Sequence, residues 1–398
     1  MRQKADPILF LTPLSRIVLA LGLTQVVGYG TLYYAFGVVA VDLTGEIGVS
    51  LPFAYGAFSV ALLMAGLIAP LVGRAIDRHG ARRVMAIGSL SAGLALAILS
   101  QVTDATSLVA ALIVVEVVSA LVLYDAAFAA LAQSVGPAGA RRAITLMTLI
   151  GGFASTVFWP VAQGLNDAYG WRVTYLAFAA LHLIVCLPLH LTLPRRSVTP
   201  PDDAAPAQGA ALLPVAKRPR AMLWLAVGFS LAGVVFSALT VQWVPVLQAT
   251  GLSAEAAILA GMLLGPAQVG IRILDLVLGV RRHPMTMALL SAGLLVVSLA
   301  LLLALPTGLW GAMAFATVFG LASGLTSIVR GTVPLALFGP GGYAARLGML
   351  AAFRLASSAL APFALTLVIA SSGAGIAISL TLGIAVAAML ALTRVPRR

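Results

Sequence analysis

Long apolar runs alternate with short polar segments along the whole chain. A helix that crosses a bilayer needs about 20 predominantly apolar residues, and its backbone polar groups must be paired within the helix because lipid offers no partner. Twelve runs qualify, and they begin near Ile17, Leu51, Val84, Leu108, Ala143, Val173, Met222, Ala256, Met287, Leu309, Leu347 and Gly375. The pattern predicts an all-α membrane protein with twelve transmembrane helices.

The connections between these runs differ in charge. One set, with the C-terminal tail, is basic and holds Arg74, Arg78, Arg82, Arg83, Arg141, Arg142, Arg195, Arg196, Lys217, Arg218, Arg220, Arg281, Arg282, Arg346, Arg394, Arg397 and Arg398. The alternate set holds Asp42, Glu46, Asp104, Asp167 and Glu255, with Arg172 as the basic exception. Because Lys and Arg accumulate in cytoplasmic loops, we expect a multi-pass protein of the cell inner (plasma) membrane with both termini in the cytoplasm.

The composition supports this interpretation and removes others. Hydrophobic residues make up 61% of the chain and charged residues 9%, whereas charged residues are about a quarter of a soluble domain. The net charge of +12 comes from the basic connections, so it indicates membrane topology and no nucleic-acid partner. The single cysteine, Cys186, provides neither a disulfide framework nor a cysteine-based metal site. No metal-ligand spacing, nucleotide loop or nucleophile constellation is present, so we expect neither an enzyme nor a cofactor.

The second half of the chain repeats landmarks of the first half in the same order. The matched pairs are Gly48 and Gly251, Pro70 and Pro266, Arg74 and Arg272, Asp77 and Asp275, Gly136 and Gly339, and Pro160 and Pro362. An ordered series at a nearly constant offset indicates an internal repeat. A polar segment rich in Pro and Ala separates the two sets and is typical of a linker. We therefore predict two pseudo-symmetric six-helix bundles, at residues 1–194 and 222–398, joined by a cytoplasmic linker at 195–221.

The connection between the second and third runs carries a motif. It reads Gly73-Arg74-Ala75-Ile76-Asp77-Arg78-His79-Gly80-Ala81-Arg82-Arg83. This segment resembles the signature loop of the major facilitator superfamily (MFS), whose Gly, Asp-Arg, Gly and basic positions are matched here by Gly73, Asp77, Arg78, Gly80, Arg82 and Arg83. The resemblance implies the MFS fold and a secondary transporter that works by alternating access. It also implies a conformational latch formed by Gly73, Asp77, Arg78, Gly80 and Arg82, although the arginines also suit a role in topology alone.

The fifth run contains Gly151-Gly152 and Trp159-Pro160 with Gly164. This part is similar to the Gly/Pro pattern of antiporter members of the superfamily, but Trp159 stands where that pattern has Gly. Small residues also permit close helix packing without any transport role. Both interpretations stay open.

Charged residues inside apolar runs are costly and mark functional hypotheses. Arg272 and Asp275 lie one helical turn apart in the eighth run, so they are candidates for a pair along one face. In the repeat they correspond to Arg74 and Asp77, so one interpretation is a degenerate copy of the latch. Oxalate-type and monocarboxylate transporters of the same superfamily carry a substrate-binding Arg in the eighth span, and Arg272 is similar in placement. We therefore keep latch and ligand as alternatives for Arg272.

Arg354 in the eleventh run has no charged counterpart in the first half, which makes it the strongest candidate for binding an anion through its planar guanidinium. The alternative is an arginine that snorkels or bonds a carbonyl. Asp125 and Arg330 occupy nearly equivalent repeat positions with opposite sign, so they are candidates for a gating pair. Glu116 lies within the fourth run and is a candidate proton carrier, or a neutral structural carboxyl group.

The first run places Gln25, Tyr29, Tyr33 and Phe36 on one helical face. Polar aromatic residues there suit binding of a small organic solute, and a packing stripe is the alternative. In the seventh run, Gln242 and Trp243 hold a similar position. We therefore include Gln25, Tyr29, Tyr33, Gln242 and Trp243 among the candidate substrate-binding residues.

The leading hypothesis is a transporter that moves a small solute, preferably a small anion or organic acid, with proton coupling as an option. One alternative is an efflux antiporter for a neutral or cationic toxic compound. Another is a membrane sensor that keeps the fold without transport. The expected partners are a small-molecule solute, the lipid bilayer and, for a coupled mechanism, protons, and we expect a monomer.

Overall fold

The computed structural model describes residues 13–194, 212–278, 282–305 and 308–396. The described part is helical, and its first half contains α1 (Pro13–Tyr29), α2 (Ala35–Ile47), α3 (Leu51–His79), α4 (Ala81–Leu99), α5 (Ala105–Ser119), α6 (Tyr124–Gly151), α7 (Ala154–Leu181) and α8 (Leu187–Thr192). The second half contains α9 (Arg218–Val241), α10 (Trp243–Ala249), α11 (Ala254–Gly261), α12 (Leu264–Leu278), α13 (Pro284–Ala304), α14 (Leu309–Phe338), α15 (Tyr343–Ser358), α16 (Ala361–Ser372) and α17 (Ala374–Thr393). Short π-helical turns at Gly30–Tyr34 and His182–Cys186 continue the first and sixth spans, and a 3₁₀ turn at Val215–Lys217 precedes α9.

These helices form twelve membrane spans in two six-helix bundles. Eleven described segments are long and apolar enough to cross a membrane, and the longest is Gly139–Thr192 with 54 residues. That segment turns sharply at Gly170, where φ is 79°, so it supplies the fifth and sixth spans. The prediction of twelve spans is confirmed, because the requirement for internally paired backbone makes apolar run length a reliable signal.

Glycines with positive φ mark equivalent turns in the two halves. The pairs are Gly48 and Gly251, Gly136 and Gly339, and Gly170 and Gly373, each 203 residues apart. The repeat is therefore visible in the backbone. This register aligns Arg272 with Ala69, whereas the sequence comparison aligned it with Arg74, five residues away. Arg272 thus lies closer to the middle of its span than the latch position does.

The two ends of the bundle differ in charge, and we call the end with Arg78 and Arg141 the basic end and the end with Glu46 and Asp104 the acidic end. Contacts between the halves concentrate at the basic end. There α3 packs against α15, and α6 packs against α12, α14 and α15. One apolar cluster contains Val72 and Ile76 from one half with Leu347 from the other. Among the described helices, these contacts run from the basic end to mid-span, where Gly66 meets Leu355, and no extensive contact joins α10, α11 or α16 to the first half. The halves therefore separate toward the acidic end.

Arg172, the basic exception in the acidic connections, has a structural explanation. Its Nε lies 2.9 Å from Glu46 Oε1, and its two Nη groups donate to the carbonyl oxygens of Ser100 and Val102 at 2.7 and 2.9 Å. Trp171 Nε1 donates to the other carboxylate oxygen of Glu46 at 2.6 Å. Arg172 therefore joins three spans of the first half at the acidic end, and its placement follows from these bonds.

Candidate functional site

A charged cluster joins the two halves between the fourth, tenth and eleventh spans. Asp125 begins the basic-end part of the fourth span at the start of α6, where its carboxylate lies 3.6 Å from Arg330 Nη2 and 3.9 Å from Arg354 Nη2. All three side chains are partly buried. The other residues that line the small cleft around these groups are Phe229, Leu347, Leu350 and Ala351. The contact between Asp125 and Arg330 is the one that the repeat comparison predicts, and its role as a gate stays a prediction.

Glycine in the seventh span makes room for Arg354. A Cβ at Gly233 would lie 2.8 Å from Arg354 Cγ and 2.8 Å from Ser358 Oγ, closer than real Cβ contacts allow. The arginine stem therefore lies directly against the α9 backbone. Arg354 has one carboxylate neighbour, Asp125, which it shares with Arg330, so the cluster carries more positive than negative charge.

Arg272 is buried between the fifth, eighth and tenth spans, with 4% of its surface exposed. Its Nη2 donates to Ser327 Oγ at 3.1 Å and to Gln268 Oε1 at 3.4 Å. Its Nε and Nη1 are buried and have no hydrogen-bond partner among the described residues. A side chain at Gly152 would collide with Arg272 Nη1, so the Gly151-Gly152 pair provides space for this guanidinium group.

Asp275 pairs with the opposite half and not with Arg272, its neighbour on the same helix. Its Oδ1 lies 3.6 Å from Arg141 Nη2, and its Oδ2 accepts a hydrogen bond of 3.2 Å from Thr145 Oγ1. Arg141 Nη1 also donates to the carbonyl oxygen of Arg282. The expected pair of Arg272 and Asp275 along one face is therefore absent from the described contacts, because the fifth span offers Asp275 a cation and a hydroxyl group. Asp275 links the fifth and eighth spans at the basic end.

Four tyrosines cluster where the first and fourth spans meet. The Tyr29 ring lies 4.6 Å from the Tyr124 ring and 6.4 Å from those of Tyr33 and Tyr34, measured between centroids. Tyr29 interacts electrostatically with Arg330 and Asp125, and Tyr124 and Tyr34 interact with Arg272. Tyr29 and Tyr33 were predicted from their helical spacing, whereas Tyr34 and Tyr124 were not. The tyrosine cluster is therefore within electrostatic range of Arg272 and also of Arg330 and Arg354.

Tyr33 and Tyr34 reach this cluster because the first span changes its helical pitch. A π-helical turn occupies Gly30–Tyr34, and Thr31 Oγ1 lies 2.8 Å from His182 Nε2 on the sixth span. The sixth span has its own π-helical turn, which begins at His182. The two irregular turns therefore meet through a buried hydrogen bond, which gives His182 a structural role.

Gln25 and Trp243 bond to backbone within their own halves. Gln25 is fully buried, and its Nε2 donates to the carbonyl oxygen of Val122 at 2.8 Å, in the interruption between α5 and α6. Trp243 is 9% exposed, and its Nε1 donates to the carbonyl oxygen of Ala257 at 2.9 Å. In this conformation the Gln25 amide nitrogen and the Trp243 N–H group bond within the protein, whereas Gln25 Oε1 is buried without a hydrogen-bond partner among the described residues.

Gln242 and Glu116 lie apart from the arginines. Gln242 is partly buried on the acidic-end part of the seventh span, and its Nε2 donates to Thr366 Oγ1 at 2.7 Å. Glu116 is 2% exposed. Its Oε2 lies 3.3 Å from Ser119 Oγ, and its Oε1 has no hydrogen-bond partner among the described residues. The fourth span therefore holds a buried carboxyl group with an unused oxygen.

The motif between the second and third spans closes the basic end. Asp77 accepts hydrogen bonds from the backbone N–H groups of Ala344 and Ala345, at 3.2 and 2.8 Å. These amides belong to the first turn of α15, so the carboxylate caps a helix of the opposite half, where the helix dipole favours negative charge. A Cβ at Gly73 would overlap the Ala344 backbone, and one at Gly348 would overlap that of Ala69. Glycine therefore allows the two spans to meet at backbone distance.

The remaining motif residues shape the turn. Gly80 has a φ of 86°, which disfavours residues that carry a Cβ. Gln133 on the fourth span accepts from Ala81 N at 2.9 Å and donates to the Ile76 carbonyl at 3.3 Å. Arg78 is exposed and Arg82 is partly exposed, and their part in the latch stays a prediction.

Comparison with known proteins places this architecture in a family. The model of the Major Facilitator Superfamily matches residues 21–362. The chain belongs to the Major Facilitator Superfamily. This membership makes it a multi-pass membrane transporter and confirms the resemblance seen in the motif at Gly73.

The superfamily fold is also found in a solved structure, that of the human organic anion transporter MFSD10 (TETRAN). The similarity has a TM-score of 0.74 at 16% sequence identity and covers 96% of this chain and 100% of that chain. At this identity the likeness shows the fold alone. No curated protein matches the sequence.

Proposed function

We propose that this superfamily member is a secondary transporter of a small organic anion that works by alternating access. The observation that carries the proposal is the state of Arg272, which is buried while its Nε and Nη1 have no hydrogen-bond partner among the described residues. Burying an unpaired charge is strongly unfavourable. A carboxylate or other oxyanion of the substrate supplies the missing acceptors, and the guanidinium fork matches its geometry.

The charge balance of the interface supports an anion. Arg272, Arg330 and Arg354 provide three cations, and Asp125 is the carboxylate among them. The other nearby carboxylate, Asp275, is paired with Arg141. An anionic substrate relieves the repulsion among the arginines, whereas a cation adds to it.

The tyrosine cluster supplies surface for the organic part of the substrate. Tyr33 is 37% exposed, and its ring lies 5.8 Å from Phe58 and 5.3 Å from Tyr34. Aromatic side chains offer an apolar face together with a hydroxyl group. We assign them to the body of the solute and Arg272 and Arg354 to its anionic group.

Closure at the basic end and separation at the acidic end suit one of the two states of an alternating-access cycle. Because basic connections are expected in the cytoplasm, we assign this conformation to the outward-open state. The contacts of Asp77 and Asp275 then hold the cytoplasmic side shut, and both must break when the substrate is delivered.

The test is solute counterflow in proteoliposomes with a panel of labelled small carboxylates and oxyanions. Arg272→Ala should weaken substrate binding by about 30-fold or more, since truncating one partner of a buried charged pair costs at least about 2 kcal/mol. Arg272→Lys should recover part of it, because Lys keeps the charge but loses the fork. Arg142→Ala, at an exposed position outside the motif, is the control. Unchanged counterflow of every anion in both Arg272→Ala and Arg354→Ala would exclude the anion assignment.

We further propose that transport is coupled to protons and that Glu116 carries the proton. Its buried carboxyl group has one unused oxygen, and desolvation favours the protonated form. Glu116→Gln, which resembles the protonated carboxyl group, should abolish uptake driven by a pH gradient and preserve counterflow. If gradient-driven uptake survives, Glu116 is structural.

A further inference from the structure

A second cleft lies at the basic end, where the chain enters the seventh span. We propose that it binds the phosphate of an anionic phospholipid head group, with Arg218 and Arg346 as its ligands. Two arginines and four apolar residues line the cleft, and they are Val215, Arg218, Pro219, Met222, Phe338 and Arg346. No carboxylate is among these lining residues. The cleft is separate from the charged cluster around Asp125, whose lining residues are different.

Both guanidinium groups are held in place and keep unused N–H groups. Arg346 Nη2 donates to the carbonyl oxygen of Gly339 at 3.0 Å, and Arg346 Cζ lies 5.3 Å from the centre of the Phe338 ring. Arg346 Nε is buried without a hydrogen-bond partner among the described residues. Arg218 uses its Nε for the Leu213 carbonyl at 3.0 Å, which leaves its two Nη groups without a described acceptor. Within the part of the chain that the structure describes, neither guanidinium group is bonded to a carboxylate.

The local field favours an anion at this place. Helix α9 begins at Arg218 and has no acidic residue in its first turn. Lys217, Arg218 and Arg220 therefore concentrate positive charge at the positive end of the helix dipole, where cations are unfavourable and anions are stabilised. Arg346 adds further repulsion, since it interacts electrostatically with Arg218. Asp77 is also close enough to interact with Arg346, but its carboxylate is bonded to Ala344 and Ala345.

The apolar wall identifies the source of the phosphate as a lipid. Val215 is 73% exposed, Pro219 is exposed as well, and the partly buried Met222 and the buried Phe338 complete the apolar lining. A soluble phosphate would use the arginines alone, whereas a phospholipid also covers this wall with its glycerol and acyl groups. Basic pockets between spans on the cytoplasmic side suit anionic head groups.

The experiment measures binding of phosphatidylglycerol and phosphatidylcholine to the purified full-length chain by native mass spectrometry. Arg218→Gln and Arg346→Gln should each weaken phosphatidylglycerol binding about fivefold, as expected for one basic residue near an anionic lipid. Phosphatidylcholine binding should stay unchanged. Arg218→Lys, which keeps the charge, should give a smaller loss and provides a second variant if a glutamine variant does not fold.

Arg220→Gln is the matched control, because Arg220 is exposed on the same helical turn and does not line the cleft. An equal loss in Arg220→Gln would show a diffuse charge effect and overturn the proposal. So would unchanged phosphatidylglycerol binding in both cleft variants. In a competition arm, displacement of the lipid by equimolar inorganic phosphate would show that the acyl part contributes nothing and would overturn the assignment to a lipid.

Discussion

Replacing Asp77 by asparagine should open the basic end of the transporter. The Asp77 carboxylate accepts two hydrogen bonds from α15. A hydrogen bond to a charged group contributes about 1.5–3 kcal/mol, and a carboxylate at a helix N-terminus adds about 0.3–1 kcal/mol. Asparagine keeps one oxygen that accepts a neutral hydrogen bond, and the site is partly exposed. We therefore expect a loss of about 2 kcal/mol, which shifts the equilibrium between closed and open basic ends about 30-fold.

The assay is the rate at which a thiol reagent modifies a cysteine placed in the basic-end contact. Leu347→Cys suits this purpose, since Leu347 is 2% exposed and packs between the halves. Cys186, the native cysteine, is replaced by serine in all proteins. Asp77→Asn should raise the labelling rate at position 347 about 30-fold if labelling follows the open population.

Asp104→Asn is the matched control for this prediction. Asp104 also accepts two backbone hydrogen bonds at a helix start, from Thr106 and Ser107, but within its own half. The backbone hydrogen bond from Ser107 lowers the pKa of the Asp104 carboxyl group from its ordinary value, so the control also removes a negative charge. Equal labelling rates in Asp77→Asn and the parent protein would refute the reasoning, as would an equal increase in Asp104→Asn.

Three further outcomes follow from the described contacts. Gly73→Ala should speed the same labelling reaction, because its Cβ meets the backbone of the eleventh span, whereas Gly56→Ala on the same helix should not, since nothing lies within 4 Å. Thr145→Val should give about a fivefold increase by removing a cross-half hydrogen bond worth about 1 kcal/mol, whereas Thr381→Val loses only a bond within its own helix. Arg172→Gln should lower the melting temperature by a few degrees, measured by thermal unfolding in detergent, and leave the labelling rate unchanged, because its bonds lie within one half.

Contrary results have distinct meanings. A labelling rate in Gly73→Ala equal to that of the parent protein would show that the second and eleventh spans make room for a methyl group while the basic end stays closed. Equal effects of Thr145→Val and Thr381→Val on the labelling rate would show that the contact between the fifth and eighth spans does not help to close the basic end. Faster labelling in Arg172→Gln would show that the acidic end controls the basic end.

The span count and the motif loop were accessible from the sequence because both depend on local rules. Apolar run length is set by membrane thickness, and Gly80 must occupy a turn with positive φ. The contact between Asp125 and Arg330 was also accessible, since equivalent positions of a repeat face each other across the axis that relates the halves. These predictions need no knowledge of how the helices are rotated.

The partners of Arg272 and Asp275 were not accessible in this way. Helical spacing places them on one face, yet Asp275 bonds to Arg141 and Thr145 of the other half. Which helices cross, and at what depth, is determined by packing between distant segments. A signal existed in Gly151-Gly152, whose lack of side chains accommodates Arg272 and Tyr124, but the sequence alone gives the same pattern several meanings.

The aromatic residues show a similar limit. Spacing identified Tyr29 and Tyr33 but missed Tyr34, because the π-helical turn at Gly30–Tyr34 changes the phase of the helix. The same spacing selected Gln25, whose Nε2 donates to the backbone at the interruption of the fourth span, and its part in binding stays a prediction. An interruption of regular helix is visible only when the tertiary partners that satisfy its carbonyl groups are known.

The contact that closes the basic end is made by the second span with the backbone of the eleventh span. Every residue type except proline presents the same amide, so small changes of residue at position 345 preserve the donor to Asp77. Changes at Gly73 or Asp77 remove the contact itself. Sequence drift is therefore constrained at Gly73, Asp77 and Gly348 and tolerated at position 345, so residues that contribute only their backbone can diverge while the closure between the halves persists.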